Sequence, residues 1–381
     1  MTRLVAHKEV EMQRRALPLL LISATVLTVA CGTQESPPTP TPAAGATTAP
    51  PVPTNPLREA YFGNLHVHTR YSFDGYTNGA VTEPDDAYRW AQGEAIPGGG
   101  GGGDLQILKP LDWYAVSDHA EYLGVFPLME DPSSPISRLP IAKRATSDDQ
   151  AVAFAAFAEI LNEMSAGKPD PGLSDPEISK TIWQEVVATA DAHYKPGTFT
   201  TFVAFEWSSN PQQQNLHRVV LFRDTENVPD LPFSALDSNK PEDLWAWMDQ
   251  TRAQGTPLLA VPHNGNASDG LMFPETTSYG GSSLTREYAE TRMRNEPVYE
   301  VSQIKGTSET HPDLSPNDEF AGFELWDYTL SADARRPTHR VGSYIRDAYL
   351  RGMQLDALGN GNPFKYGLIG DSDTHNSAAS V

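Results

Sequence analysis

His66-Val67-His68 stands near the start of the chain and Asp373-Thr374-His375 near its end, two pairs of ligand-type side chains with the same i, i+2 spacing. On a β-strand successive side chains point to opposite faces, so both members of each pair project from one face and reach one shared cavity. Neither pair supplies enough donors for a metal by itself. Between them recur apolar runs with a His or Glu at or beside one end: Ala115-Val116-Ser117-Asp118-His119, Phe202-Val203-Ala204-Phe205-Glu206-Trp207, Leu216-His217-Arg218-Val219-Val220-Leu221-Phe222 and Leu258-Leu259-Ala260-Val261-Pro262-His263-Asn264. A lone histidine at a strand end is more often a hydrogen-bonded structural residue than a ligand. Here six of the ten histidines, His66, His68, His119, His217, His263 and His375, occupy such positions, and jointly they point to ligation.

The strand-like runs alternate with helical stretches such as Asp148 to Met164, Ile178 to His193 and Pro241 to Gln254. Strand and helix alternation predicts βαβ units and a parallel sheet, hence an α/β fold. In a barrel of this class the C-terminal ends of the strands carry the chemistry. His119 and Glu206 close their strands, His263 follows the proline that ends one, and the Asp373 pair follows Tyr366-Gly367-Leu368-Ile369-Gly370. His217 breaks the rule, because it opens its strand. The glycine run Gly98 to Gly103 reads as a loop; it lacks the Lys-Ser/Thr with which a P-loop begins its helix. No internal repeat is visible.

At 381 residues, 39% of them hydrophobic, the chain can bury a core of barrel size, and one catalytic domain over 57–381 is expected. Asp and Glu outnumber Lys and Arg by 49 to 28, for a formal charge of −21, which repels a polyanion and argues against nucleic acid as a partner. A small anionic substrate stays compatible with that charge, since divalent cations reverse the local field.

Residues 1–30 read as a signal peptide: Arg3, Lys8, Arg14 and Arg15 precede an apolar run from Leu17 to Ala30 that is short for a bilayer span. Leu27-Thr28-Val29-Ala30-Cys31 resembles a bacterial lipobox, although Thr28 stands where an aliphatic residue is common. Cys31 is therefore the expected lipidation site, and the protein is expected to be exported as a cell-envelope lipoprotein facing the periplasm or the outer membrane. Cys31 is the sole cysteine, so no internal disulfide can form. Residues 31–56 form a tether rich in Pro, Thr and Ala, a composition that buries no core. At the other end only Asn376-Ser377-Ala378-Ala379-Ser380-Val381 follows the last ligand pair. A parallel barrel strand needs a helix over its outer face, so the natural protein is expected to continue past Val381.

His66-Val67-His68-Thr69 with Ser72 and Asp74 downstream, Ser117-Asp118-His119, Glu206, His217, His263 and Ser372-Asp373-Thr374-His375 together resemble the PHP superfamily of polymerase and histidinol phosphatase type metallohydrolases, and within it an uncharacterised bacterial branch. The resemblance runs from about Tyr61 onward and rests on the order of all six motifs. It implies a distorted (β/α)7 barrel of the TIM type with two or three divalent metal ions. By resemblance His66, His68, Glu206 and Asp373 hold one ion, and Glu206 bridges to a second held by His217 and His263. A third would take Asp74, His119 and His375. Several relatives have a histidine at the position of Asp74, which makes a third site here harder and two filled sites the safer expectation.

Imidazole and carboxylate donors suit Zn²⁺, Mn²⁺ or Fe, and a bridging carboxylate lets two cations sit close together. Such a pair acidifies a bridging water, and the hydroxide attacks phosphorus while the cations neutralise the phosphoryl and leaving oxygens. The expected function is a metal-dependent phosphoesterase with Glu206 as the catalytic bridging ligand. No side-chain nucleophile is offered: there is no Gly-x-Ser-x-Gly elbow, and Cys31 belongs to the export signal.

Arg218 and Lys305 are the candidate substrate-binding cations. Asp118 alternates with His119 and is expected to support the site from behind. Trp113, Trp207 and Trp326 are expected to pack at the barrel rim, His311 to lie at the surface, and His193 to meet the negative end of its helix. Two other readings stay open. A binuclear amidohydrolase barrel also opens on His-x-His, but it normally places a lysine at a mid-chain strand end and finishes on a lone aspartate. A non-catalytic lipoprotein could bind metal through the same cluster.

Overall fold

A computed structural model of the protein describes residues 59–99, 102–330 and 335–379. The signal, Cys31 and the tether therefore lie outside the described residues, as does the middle of the glycine run. Among the described residues the strands are β1 (Gly63–Asn64), β2 (Trp113–Val116), β3 (Thr200–Trp207), β4 (Arg218–Phe222), β5 (Leu258–Pro262), β6 (Val298–Gln303), β7 (Gly306–Thr307) and β8 (Gly367–Gly370). They form a five-stranded sheet in the order β1-β2-β3-β4-β5 and a three-stranded sheet in the order β7-β6-β8. The helices are α1 (Phe73–Thr77), α2 (Pro84–Ala91), α3 (Val125–Glu130), α4 (Pro140–Ala145), α5 (Gln150–Ser165), α6 (Pro176–His193), α7 (Pro241–Ala253), α8 (Arg286–Asn295) and α9 (Ile345–Ala357).

The class is α/β as expected, but the closed (β/α)7 TIM-like barrel is not what forms. Two separate sheets stand in its place, and the larger one is mixed: β1, β2 and β3 run parallel, whereas β4 is antiparallel to both β3 and β5. The reason lies in the link 208–217, whose regular structure is a single turn of 3₁₀ helix at Pro211–Gln213. A parallel crossover needs a dozen or more residues and usually a helix, so the chain after β3 turns back on itself. The reversal also accounts for His217. The start of a reversed strand lies at the same edge of the sheet as the ends of its parallel neighbours, so a ligand that opens β4 meets ligands that close β3 and β5. The two sheets approach near the site, where Val67 and Thr374 form one isolated parallel bridge.

Local signals explain the helix starts. Asp149 and Asp175 accept hydrogen bonds from Ala151 N and Glu177 N at the starts of α5 and α6, and Thr285 accepts one from Tyr288 N at α8. Pro84, Pro140, Pro176 and Pro241 stand at first-turn positions, where the missing N–H costs nothing. The main core lies between the outer face of the large sheet and its helices and includes Trp90, Trp183 and Trp245, all fully buried.

The inner face carries a smaller cluster of Leu65, Ala115, Ala204, Val219, Leu221 and Val261. Beneath it opens an apolar cavity of about 880 Å³ lined by Trp113, Phe202, Leu259, Val298 and Ile369. It contains none of the ligand candidates. Among the described residues no helix is long and apolar enough to cross a membrane.

Candidate metal centre

β1 runs straight into His66-Val67-His68, and the neighbouring β2, β3 and β5 end close to His119, Glu206 and His263. Chain alternation turns Val67 into the core, fully buried, while His66 and His68 face inward together. After His68 the chain bends into the short α1, which carries Asp74. Gly75 is required there, because a Cβ would sit 2.1 Å from the Thr69 carbonyl oxygen. Asp373 follows β8 with a left-handed φ of 52°, an uncommon conformation for a residue other than glycine and one that often marks functional positions.

Glu206 is the centre of the arrangement. Its Oε2 lies 3.0 Å from His66 Nε2 and 3.1 Å from His68 Nε2, whereas its Oε1 lies 2.5 Å from His217 Nδ1 and 3.3 Å from His263 Nε2. One carboxylate thus faces two sets of imidazoles through its two oxygens. Asp373 Oδ1 completes the first set, 3.4 Å from His66 Nε2 and 3.2 Å from His68 Nε2. Beside it Asp74 reaches His119 Nε2 at 3.1 Å and His375 Nε2 at 2.9 Å.

Three groups have donor atoms close enough to hold an ion: His66, Glu206 and His263; His66, His68 and Asp373; and His68, Asp74, His119 and His375. His217 stands outside all three and enters only through Glu206. All nine sequence-predicted ligands are therefore brought to one site.

The donor set fits divalent metal on two observations. Among the described residues no aligned hydrogen bond reaches His68 Nε2, His119 Nε2 or Asp373 Oδ1, although each is buried and crowded by other ligand atoms. Buried polar atoms are normally satisfied, and a converging set that is not has the form of a coordination sphere. Secondly, in His68, His66 and His375 the Nδ1 on the far side is hydrogen-bonded, so that Nε2 is the nitrogen left to face a cation. Asp118 Oδ1 accepts from Ser72 Oγ at 2.6 Å, which uses the only hydroxyl proton, so His68 Nδ1–H must donate to Ser72 Oγ at 2.8 Å. His66 Nδ1–H donates to Glu300 at 2.9 Å and His375 Nδ1–H to the Asp373 carbonyl at 2.9 Å.

The electrostatics follow from this crowding. Burial would lower the pKa of His119, but the charges of Asp74 and Glu206 push it up to about 9. Burial likewise opposes the charge on His66, yet Glu300 and Asp373 raise its pKa well above the usual range. Burial would raise Glu206, but His119, His263 and His217 hold its pKa well below the ordinary carboxylate range. For Asp373 burial is overcome chiefly by Lys305 and His66. His263 goes down, first from burial and then from the charge of His66 beside it.

The two substrate candidates part company. Lys305 enters the site and its Nζ ion-pairs with Asp373 Oδ2. Arg218 does not: it is fully buried behind the sheet, where its Nε donates to Glu296 Oε1 at 2.9 Å. The cause is strand alternation, since residues adjacent on β4 face opposite ways and His217 takes the inward face. Glu296 also accepts from Arg292 Nε at 3.1 Å and Trp245 Nε1 at 2.8 Å, a structural network remote from the ligands.

His311, expected at the surface, is buried against Tyr344. His193 ends α6, as expected, and its Nε2 meets Asp85 at 2.8 Å. Trp207 is buried, whereas Trp326 is 40% exposed.

Sequence reasoning missed Glu300, Gln303 and Ser208. Glu300 orients His66, Gln303 Nε2 donates to Asp373 Oδ2 at 2.5 Å, and Ser208 Oγ lies 2.5 Å from His119 Nδ1. Val298-Tyr299-Glu300-Val301 carries two β-branched residues and an aromatic one, a weak strand signal without clean alternation. It carries no histidine, and so it does not stand out beside the other runs.

The fold and site together define an α/β protein with a buried cluster of His, Glu and Asp able to hold metal. Residues 55–381 match a family described as protein of unknown function (DUF3604), and the chain belongs to that family. No curated protein matches it.

Proposed function

We propose that the chain is a metal-dependent hydrolase of PHP type, acting as a phosphoesterase on a small anionic substrate with two or three divalent ions, Zn, Mn or Fe, in its site. The observation that carries this reading is the division of Glu206, whose Oε1 and Oε2 face different imidazole sets and so suit a carboxylate shared by two ions. Such ions, when bound, acidify water and neutralise phosphoryl oxygens.

The protein's own residues hold and shield that chemistry. His66, His68, Asp373 and the shared Glu206 would hold one ion, with His217 and His263 on the other side of Glu206. Asp74, His119 and His375 would hold a third. The bonds from His66 to Glu300 and from His68 through Ser72 to Asp118 keep their rings in one tautomer, which is how histidine ligands are commonly oriented. Phe73 stacks on His119 with ring centroids 4.4 Å apart and keeps water off that wall. Lys305 is the cation placed to meet an anionic oxygen beside the ions, a role that stabilises developing charge in phosphoryl transfer.

Metal content of the purified protein, measured together with hydrolysis of phosphomonoesters, phosphodiesters and sulfate esters, tests the reading. Turnover of a phosphoester that chelator abolishes and added Mn²⁺ or Zn²⁺ restores is expected. Metals bound at stoichiometric level with no turnover in any class would leave a metal-binding protein. Export through a lipidated Cys31 belongs to the same proposal, and Cys31→Ser is expected to move the protein from the membrane fraction to the soluble fraction.

A further inference from the structure

The hairpin β6–β7 pairs Ser302 with Thr307 and Gln303 with Gly306, which leaves Ile304 and Lys305 as its tip. Lys305 points inward to Asp373, whereas Ile304 is 73% exposed. The segment from Phe320 to Tyr328 lies against this tip. Thr307 N donates to Glu324 O at 3.0 Å. Gly306 must be glycine, since a Cβ there would fall 2.6 Å from Trp326 Cβ. The buried Asn266, three residues after the ligand His263, donates through Nδ2 to both Lys305 O at 3.1 Å and Trp326 O at 3.3 Å. The main chain and Cβ of Trp326 are thereby fixed against the hairpin tip that carries Lys305.

The segment that carries Trp326 exposes several apolar side chains, with the exposed Glu324 among them. Phe320 is 74% exposed and Phe323 68%, with Ile304 and Trp326 beside the same hairpin. Clustered exposed apolar side chains mark contact sites, and scattered single ones do not. Tyr328, edge-on to Trp326 with centroids 6.5 Å apart, already carries the Arg336 guanidinium over its ring at 5.4 Å. That leaves Trp326 as the open platform.

We infer that Trp326, with Ile304 beside it, forms a subsite for a planar apolar group, and that the substrate is an aryl-type ester whose anionic head lies at Lys305 and the metal ligands. The inference rests on the hydrolase reading for the identity of the reaction but not for the binding preference. An occupant must satisfy both ends at once, a cation among carboxylates at one end and an indole face at the other, and an amphiphilic anion does so.

Phenylphosphonate and methylphosphonate share the head group and are not hydrolysed, so they separate the two questions when titrated into manganese-loaded protein. Wild type is expected to prefer phenylphosphonate by about tenfold, the scale of one aromatic stacking contact. Trp326→Ala removes that preference and leaves methylphosphonate affinity unchanged; Trp326→Phe restores most of it. Equal affinity for the two phosphonates in wild type, binding of neither, or a Trp326→Ala variant that weakens both alike overturns the subsite. If the preference depends on Trp326 but no ester is hydrolysed, the subsite stands and the hydrolase reading falls. If 4-nitrophenyl phosphate is hydrolysed without any phenyl preference, the hydrolase reading stands and the subsite falls.

Discussion

The Nδ1 of His66 lies 2.9 Å from Glu300 Oε2 while its Nε2 lies 3.0 Å from Glu206 Oε2, so one fully buried ring is gripped by carboxylates on both sides. The outer carboxylate cannot reach a metal held by the inner one. Its effect is to fix which nitrogen carries the proton and to make the other a better donor.

Glu300→Ala is therefore expected to weaken metal binding by about 10- to 100-fold, the usual scale for losing such a partner. Glu300→Gln keeps an acceptor for the Nδ1 proton and should lose less. Competition against a chelator of known affinity reads both. Wild-type affinity in the alanine variant would remove Glu300 from the site.

Glu206 and His375 differ in how many groups they serve. Glu206→Gln is expected to reduce turnover at least about tenfold more than His375→Ala, because a shared carboxylate acts on two cations and a peripheral imidazole on one. Metal analysis should show the same order, with Glu206→Gln losing the larger share. Equal losses would mean that Glu206 is not shared.

Metal loading should release protons. The pKa of His119 is pushed up to about 9 in the metal-free protein, that of His66 is raised well above its usual range, and that of His375 is raised too, so these rings hold protons at neutral pH that a cation must displace. A raised folded-state pKa contributes stability below the unfolded value of about 6.5 and loses it as pH rises through the folded one. Metal-free protein should accordingly lose this contribution between pH 6.5 and about 9, whereas metal affinity should rise over the same window. Calorimetry in buffers of different ionisation enthalpy counts the protons. A count of zero at pH 7 would contradict the assignment.

Arg218 supplies the contrast between stability and chemistry. Glu296 neutralises Arg218 and Arg292 together, and the two guanidinium charges hold its pKa below the ordinary range despite burial. That contribution is present above the unfolded value near 4.5 and is lost as pH falls through the lower folded value. Glu296→Gln leaves two buried cations unpaired and should cost about 3–5 kcal/mol. Arg218→Met should alter the melting temperature and leave KM unchanged. A changed KM with unchanged stability would return Arg218 to the substrate site.

The inner ring of the site is legible in the sequence because ligand chemistry is written in residue type. His66, His68, Glu206, His263 and Asp373 each stand beside an apolar run, and spacing alone predicts one shared face. The absence of a closed barrel is not legible in the same way, because strand–helix alternation is the same whether β4 runs with or against β3. What decides direction is the short link 208–217, whose lack of a helix is a weaker signal than the alternation around it. Arg218 is a natural substrate candidate by charge, but alternation overrules charge, since His217 already occupies the inward face. Glu300 escapes because an acidic residue in a strand carries no spacing signal of its own.

The reversal of β4 also divides the site by distance along the chain. Glu206 and His217 lie on the antiparallel neighbours β3 and β4, joined by the short link 208–217, whereas His263 follows β5, which pairs with β4 only after the long stretch that holds α7. His66 and His68 must find Asp373 and His375 from far along the chain, and contacts of that separation close slowly. Glu206 and His217 are thus neighbours in sequence as well as in space, whereas the other ligands meet across long separations, His66 and His68 with Asp373 and His375 along a seam marked by the bridge between Val67 and Thr374. A cation shared across Glu206 would span that seam and tie its two sides together.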